Sequence, residues 1–258
     1  METRSTPSAP IDCILVMPAY NEEECVEGVV RAWHTELEKT VNGSFRLVVV
    51  NDGSRDRTGA LLDELAKSLP NLVPVHQKNG GHGAALYTGY NKAIELGSRF
   101  VFQTDSDDQF LSSDFAKLWA QRETSPFLLG NRLRRFDPLH RLVITRIMRT
   151  FLFFIFGAWL VDANIPFRLI RTDYLRRLLA RLPSGLFAPN IFLTVLAARD
   201  GRNLGHIPVT HIERATGEVT IVRWKLIKVC LRSARELFLF RLSLFSAPQL
   251  PVEASAES

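Results

Sequence analysis

The sequence predicts an α/β fold with a mainly parallel central sheet flanked by helices, and three observations lead there. Short apolar runs alternate with amphipathic stretches of helical period between residues 11 and 105, the pattern of βαβ units. Some runs, such as "LVVV" (47–50), are apolar without interruption, which marks strands covered on both faces. Charged or Gly-rich clusters follow directly after the runs, at strand carboxyl ends, where open α/β sheets hold ligands.

In chain order, "DCILVMP" (12–18) reads as a strand and "EEECVEGVVRAWHTELEKT" (22–40) as an acid-led helix. The strand "FRLVVVND" (45–52) leads into the helix "RTGALLDELAKSL" (57–69). "LVPVHQ" (72–77), "GAALYTGYNKAIEL" (83–96) and "RFVFQTD" (99–105) give a further strand, helix and strand. Beyond residue 130 the pattern changes: "GNRLRRFDPLHRLVITRIMRTFLFFIFGAWL" (130–160) reads as a turn and then a long basic and aromatic helix, over about 139–161. A strand at "FRLIRT" (167–172) and helices near 173–181 and 189–199 follow. "LGHIPVTHIERATGEVT" (204–220) precedes a helical segment over 223–245. There Trp224, Ile227, Leu231, Ala234 and Phe238 recur at helical spacing, beside a face of Lys225, Lys228, Arg232 and Arg235, the composition of an interfacial helix. Residues 1–10 and 246–258 are small and polar, and are expected to be disordered tails around a single domain over 11–222.

At 258 residues and 46% hydrophobic content the chain can bury a substantial core. A net charge of +5 favours anionic partners without choosing among nucleotides, nucleic acid and lipid phosphates. Cys13, Cys25 and Cys230 form no CxxC pair, so neither a disulfide framework nor a zinc site is indicated, and a cytosolic compartment fits. The most apolar segment, "TFLFFIFGAWLV" (150–161), falls short of the roughly 20 residues that a bilayer crossing needs. Arginines cluster with Phe and Leu runs on helices rather than with exposed aromatics on strands, which disfavours nucleic acid.

The strand ends carry the chemistry. In "QTDSDDQF" (103–110), Asp105 and Asp107 repel one another unless a cation sits between them or one stays protonated. With the amide oxygen of Gln109 they offer hard oxygen ligands to Mg2+ or Mn2+; the alternative is a solvated acidic turn. Asp108 is open between these, and Asp114 reads as a helix-terminus residue behind Ser112 or Ser113. In "NDGSRDRT" (51–58) Asp52 is the candidate partner of a nucleobase N–H, while Asn51, Ser54 and Asp56 read mainly as loop architecture. "KNGGHGAALYTGY" (78–90) matches neither GxxxxGK[ST] nor GxGxxG. Its glycines, Gly81 among them, let backbone approach a ligand, Lys78 is placed to meet a phosphate, and His82 reads as a loop or cap residue.

The ordered set "PAYNEEE", "VVVNDGSRDRT", "NGGHGAALYTGYNKAIELG" and "FQTDSDDQF" resembles the family 2 glycosyltransferases of GT-A (Rossmann-like) fold, and within them the dolichol-phosphate mannose synthase group. "GNR", "DANIPFRLIRTDYL" and "HIPVTHIERATGEVT" extend the similarity to about residue 240. The resemblance implies that Pro18, Tyr20, Glu22 and Asp52 hold base and ribose, and that Asp105, Asp107 and Gln109 hold a metal on the donor diphosphate. It implies further that Arg132 and Arg146, with Thr150 nearby, receive the acceptor phosphate, and that Arg168, Arg214 and the loop around Gly217 close over the donor. "NIPF" stands where the group has a small "SGF" turn, so that loop is expected to differ in shape.

The implied reaction is inverting transfer of a sugar from a UDP- or GDP-sugar to a polyprenyl phosphate, dolichyl or undecaprenyl, at the cytoplasmic membrane face. The chain would meet that membrane through its amphipathic helices, alone, with a membrane-protein partner, or as a homo-oligomer. A polyprenyl phosphate is already anionic and needs no base, which fits the lack of an evident one. The first rival is a family 2 enzyme acting on a carbohydrate or protein hydroxyl, with Asp162 as base. The others are a sugar nucleotidyltransferase, whose Gly-rich basic opening loop is absent, and a membrane-surface module without catalysis.

Overall fold

The computed structural model describes residues 10–107, 109–132, 139–157, 160, 162–183, 185–201, 204–212, 232 and 234–242, with the side chains of 139–145, 148 and 151 outside the description. The first half is built as the alternation predicts: β1 (Ile11–Ala19), α1 (Val26–Thr40), β2 (Phe45–Asn51), α2 (Thr58–Ser68), β3 (Leu72–His76), α3 (His82–Glu95) and β4 (Ser98–Thr104). A 3-10 turn at Ser112–Asp114 leads into α4 (Phe115–Ala120). Then come β5 (Phe127–Arg132), α5 (Leu139–Phe156), β6 (Phe167–Arg171), α6 (Thr172–Leu179), α7 (Pro189–Arg199) and β7 (Gly205–Val209).

Among the described residues seven strands form one sheet in the order β3-β2-β1-β4-β6-β5-β7. The pairs β1 with β2, β1 with β4, β2 with β3 and β5 with β7 are parallel, whereas β6 runs antiparallel to both β4 and β5. The mainly parallel α/β sheet stands, with one reversed strand inserted near its centre. Both edge strands carry a proline, Pro74 in β3 and Pro208 in β7, where the missing N–H removes no bond from an inner ladder.

The core lies on both faces of the sheet. Ile14 to Met17 and Leu47 to Val50 are fully buried, as their uninterrupted apolar runs require. On one side Trp33 of α1 packs its ring 5.3 Å from Phe102 and 6.1 Å from Phe167. On the other, α3 lies so close that a Cβ on Gly89 would stand 2.3 Å from a methyl of Val16.

Two expectations need revision and a third holds. "GNR" is no turn: Gly130, Asn131 and Arg132 continue β5 in parallel pairing with Ile207, Pro208 and Val209, with Gly130 buried and Asn131 and Arg132 half-buried. The helix expected over 139–161 stops at Phe156, since Gly157 takes φ 70°, the left-handed stop that glycine tolerates. Asp114 is the helix-terminus residue expected, ending the 3-10 turn and directly preceding α4; buried, it also accepts the Thr210 amide at 2.5 Å and pairs with Lys117 at 2.6 Å, tying α4 to the end of β7.

Candidate functional site

The loops after β1 and β2 are stitched to each other. Asn21, left-handed at φ 54°, turns the chain after β1. The amides of Asn21, Glu22 and Glu23 donate to Ser54 Oγ, Thr58 Oγ1 and Asp56 Oδ2 at 3.0, 2.8 and 3.1 Å. In return the amides of Arg55 and Arg57 donate to Asn21 Oδ1 and Glu23 Oε2 at 2.8 and 3.0 Å. Burial pushes the Asp56 carboxyl up, but the hydroxyl and amide of Thr58 and the Glu23 amide outweigh it and hold the group below its ordinary range. Ser54 and Asp56 therefore serve loop architecture, and they fix the backbone under Tyr20 and Glu22.

Asp52 organises the glycine loop after β3. Its Oδ1 accepts Gln77 Nε2 at 2.6 Å and the Gly80 amide at 2.8 Å, while Oδ2 accepts the Gly81 amide at 2.8 Å. Asn79 Nδ2 donates to its carbonyl at 2.9 Å. The approach needs glycine at 53, at φ 66°, because a Cβ there would lie 2.6 Å from the Asn79 nitrogen. Three donors thus occupy the Asp52 carboxylate, which shapes the floor of the site and leaves limited capacity on Oδ2 for a ligand N–H.

After β4, Asp105 Oδ1 accepts Gln103 Nε2 at 3.1 Å, and His82 Nε2 at the start of α3 lies 3.9 Å away. Burial raises the Asp105 carboxyl above its usual range, against the pull of His82, Arg168 and Arg132. Asp107 Oδ1 accepts the Gln109 amide at 3.4 Å. Pro18, Tyr20, Glu22, Asp52, Gly81, His82, Asp105 and Asp107 together line a cleft of about 410 Å³. Lys78 is exposed and Gln109 half-buried, and neither is among the lining residues. Asp108, Arg214 and the loop around Gly217 lie outside the described residues.

Among the described residues no group of three His, Cys, Asp or Glu side chains is arranged to hold a metal. Asp105 and Asp107 still fit a hard divalent cation, because both open on one cleft as oxygen donors and one is a carboxylate that burial disfavours in its charged form. Two protein carboxylates with the remaining positions left to ligand phosphates and water is the usual arrangement for Mg2+ beside a nucleotide.

Arg132, at the end of β5, is not among the lining residues of the cleft, but its charge acts on Asp105. Its Nε lies 3.2 Å from Asp162 Oδ2, its Nη1 is 3.4 Å from His211 Nε2, and its guanidinium sits 5.4 Å from the Phe110 ring centroid. His211 was not singled out from the sequence; its backbone bridge to Phe110 places it, and no local signal in "VTHIER" announces that. Arg146 and Thr150 lie on α5, both exposed, with the Thr150 hydroxyl donating to the Arg146 carbonyl at 3.0 Å. Arg168 does not line the cleft. It is 0% exposed, and it donates to the carbonyls of Ile165, Asn190 and Ala163, so its place is behind Asp105.

Farther out, α5 exposes Ile147, Phe153 and Phe154, and the helical residues 234–242 expose Phe238, Leu239 and Leu242. The two segments touch through Phe156 and Phe240, ring centroids 6.5 Å apart. Arg146 and Arg235 are exposed on the same segments. No helix among the described residues is long and apolar enough to cross a membrane.

The family model described as "Glycosyl transferase family 2" matches residues 14–179. The chain is 28% identical over 214 residues to the polyprenol monophosphomannose synthase of Mycolicibacterium smegmatis, covering 79% of this chain and 78% of that one. It is 24% identical over 237 residues to the UDP-N-acetylglucosamine--dolichyl-phosphate N-acetylglucosaminyltransferase of Methanococcus voltae, covering 82% and 92%. In fold it is similar to the glucosyl-3-phosphoglycerate synthase of Mycobacterium tuberculosis, crystallised with Mn2+, UDP and glucosyl-3-phosphoglycerate. The TM-score is 0.62 at 18% identity, over 93% of this chain and 81% of that one.

Proposed function

From the premise that the chain belongs to glycosyl transferase family 2, we propose that it moves a sugar from a UDP- or GDP-sugar to a polyprenyl phosphate at the cytoplasmic face of a membrane. The observation that carries this reading is a cleft lined by Pro18, Tyr20, Glu22, Asp52, Asp105 and Asp107, with the arginine Arg132 outside the lining yet near enough for its charge to act on Asp105. The names of the relatives, which act on polyprenol, dolichyl and undecaprenyl phosphates, support the same acceptor class.

In the reaction, an acceptor phosphate oxygen forms a bond to the anomeric carbon as the bond from that carbon to the diphosphate oxygen breaks, with inversion. The acceptor oxygen is anionic, so no proton has to leave it. Tyr20 and Glu22 on the stitched loop, with the amides that Asp52 gathers, orient the nucleoside. Arg132 offers guanidinium donors suited to phosphate, and Arg146 stands on α5 with the same chemistry. Asp105 and Asp107 would hold Mg2+ or Mn2+, whose charge stabilises the leaving diphosphate by several kcal/mol.

The rival with Asp162 as base is less well supported. That carboxylate is largely buried, and its Oδ2 is already engaged by Arg132 at 3.2 Å, so it is not open to an acceptor hydroxyl. The exposed apolar residues of α5 and 234–242, flanked by arginines, suit a lipid surface.

The test is incubation with UDP- and GDP-sugars, Mn2+ and a polyprenyl phosphate in detergent, followed by extraction of lipid. A sugar-phosphate lipid that mild acid hydrolyses supports the reading. Transfer to a saccharide or peptide hydroxyl, with none to the lipid, overturns it.

A further inference from the structure

We propose that Gln103, Asn190 and Tyr90 form a buried amide relay that orients Asp105 for a divalent cation, with Gln103 and Asn190 as positioning residues. The inference rests on the reading of Asp105 as a metal carboxylate. Gln103 is an anomaly in its strand: it sits at the centre of the sheet between Val16 of β1 and Arg168 of β6, and it is 0% exposed. A buried primary amide is costly unless its donors and its acceptor are met.

Each amide nitrogen and oxygen of the relay has a partner, and the bonds run in one direction only. Gln103 Nε2 donates to Asp105 Oδ1 at 3.1 Å, Asn190 Nδ2 donates to Gln103 Oε1 at 3.1 Å, and the Tyr90 hydroxyl donates to Asn190 Oδ1 at 3.0 Å. An ionised carboxylate accepts and cannot donate, so it dictates that Gln103 present nitrogen to it. That choice turns the Gln103 oxygen to Asn190 and the Asn190 oxygen to Tyr90, whose hydroxyl must then donate. Burial keeps the Tyr90 phenol protonated, as this polarity requires.

The relay is anchored at every member. Gln103 belongs to β4, two residues before Asp105 and on the same side of the chain. Asn190 is 2% exposed in the first turn of α7, where its carbonyl accepts Arg168 Nη1 at 3.0 Å. Tyr90 is 0% exposed on α3, the helix that begins with His82 beside the same carboxylate. Asp105 therefore has one oxygen tied to a chain spanning three elements. Such fixing removes the reorganisation that a free carboxylate undergoes on taking up a cation, and partners of this kind are worth about 10–100-fold in metal affinity.

The experiment measures Mn2+ binding directly, by the electron paramagnetic resonance signal of free Mn2+ titrated with protein in the presence of UDP or GDP. Metal-free nucleotide affinity and thermal unfolding are measured in parallel. Gln103→Met keeps the length of the side chain and removes its donor. It is expected to weaken Mn2+ by about 10–100-fold while metal-free nucleotide affinity stays within about twofold. Tyr90→Phe, at the far end, is the milder variant and is expected to weaken Mn2+ in the same direction by less. Should Gln103→Met not fold, Tyr90→Phe decides alone, and unchanged Mn2+ affinity in it overturns the relay. Equal losses of Mn2+ and metal-free nucleotide binding would also overturn it, as general loosening of the site. Asp105→Ala separates the two readings. If it abolishes Mn2+ binding and Gln103→Met leaves it intact, the relay fails alone; if Asp105→Ala leaves it intact, the underlying assignment of Asp105 fails.

Discussion

Replacing Arg168 by Met distinguishes a guanidinium that builds the fold from one that closes over a donor. Methionine retains most of the unbranched stem, so the packing change is small, and the perturbation falls on hydrogen bonds. The Ile165 carbonyl, in a residue that is 0% exposed, accepts both Nε at 3.1 Å and Nη2 at 2.5 Å. Stripped of both, it becomes a buried orphan acceptor, at about 1–3 kcal/mol. The carbonyls of Ala163 and Asn190 both accept Thr194 Oγ1 at 2.9 Å, but that hydroxyl has one proton for two oxygens, so a second acceptor is left partly unmet. Relief from burying a cation offsets part of the loss, and the net expectation is about 2–4 kcal/mol. With a urea dependence near 3 kcal/mol per M for a domain of this size, the unfolding midpoint falls by about 1 M, read by fluorescence of the buried Trp33 and Trp119. A midpoint unmoved, together with a tenfold drop in nucleotide affinity, would refute the structural assignment and return Arg168 to the donor.

Gly83→Ala would place a Cβ 2.7 Å from the Phe187 carbonyl oxygen, and closer still to that of Leu186. Neither backbone oxygen can turn aside, so thermal unfolding should show a loss of about 1–3 kcal/mol. Asp105→Asn should abolish transfer yet hold or raise the melting temperature at pH 7 in EDTA. The folded carboxyl is shifted up by burial, so its cost is absent below the unfolded value and enters as pH rises through the folded one. Below about pH 4 the variant and the parent should therefore converge; a lower melting point for the variant at pH 7 would contradict the sign. Phe154→Glu with Leu239→Glu removes two exposed apolar side chains, at 79% and 51% exposure. Co-sedimentation with anionic vesicles should fall by at least about tenfold, since one fully inserted side chain of that size is worth about 1.5–3 kcal/mol.

Much of the fold was legible because the nucleotide half is made of local units. Each apolar run from β1 to β4 is followed by its own amphipathic helix, and polar clusters mark the strand ends. The residues gathered in the cleft follow from that rule alone: Tyr20, Asp52, Gly81 and Asp105 stand just beyond β1, β2, β3 and β4. What escaped depends on contacts between distant segments. The arginine in "FRLIR" looks like any strand arginine until β6 is known to pair with β4, and its acceptors lie on loops before it and on α7 after it. Gln103 and Asn190 are 87 positions apart, and neither residue type announces a partner. Asp52 was expected to meet a base, but the amides it holds come from the next strand end, a relation that only loop geometry reveals.

The reversed strand β6 also sets the order in which the molecule can be assembled. β1 to β4 and their helices are neighbours in sequence as well as in space, so they can form as the chain emerges. β5 cannot then join them, because its place beside β4 belongs to a strand that begins at Phe167, 35 positions after β5 ends at Arg132. Until that strand arrives, β4 presents an open apolar edge, with Phe100, Val101 and Phe102 flanked by free backbone donors and acceptors, a template for pairing with other chains. A nascent chain stalled before residue 167 is thus the species most exposed to aggregation. Arrival of β6 covers that edge and in the same step delivers Arg168 to the back of the carboxylate site.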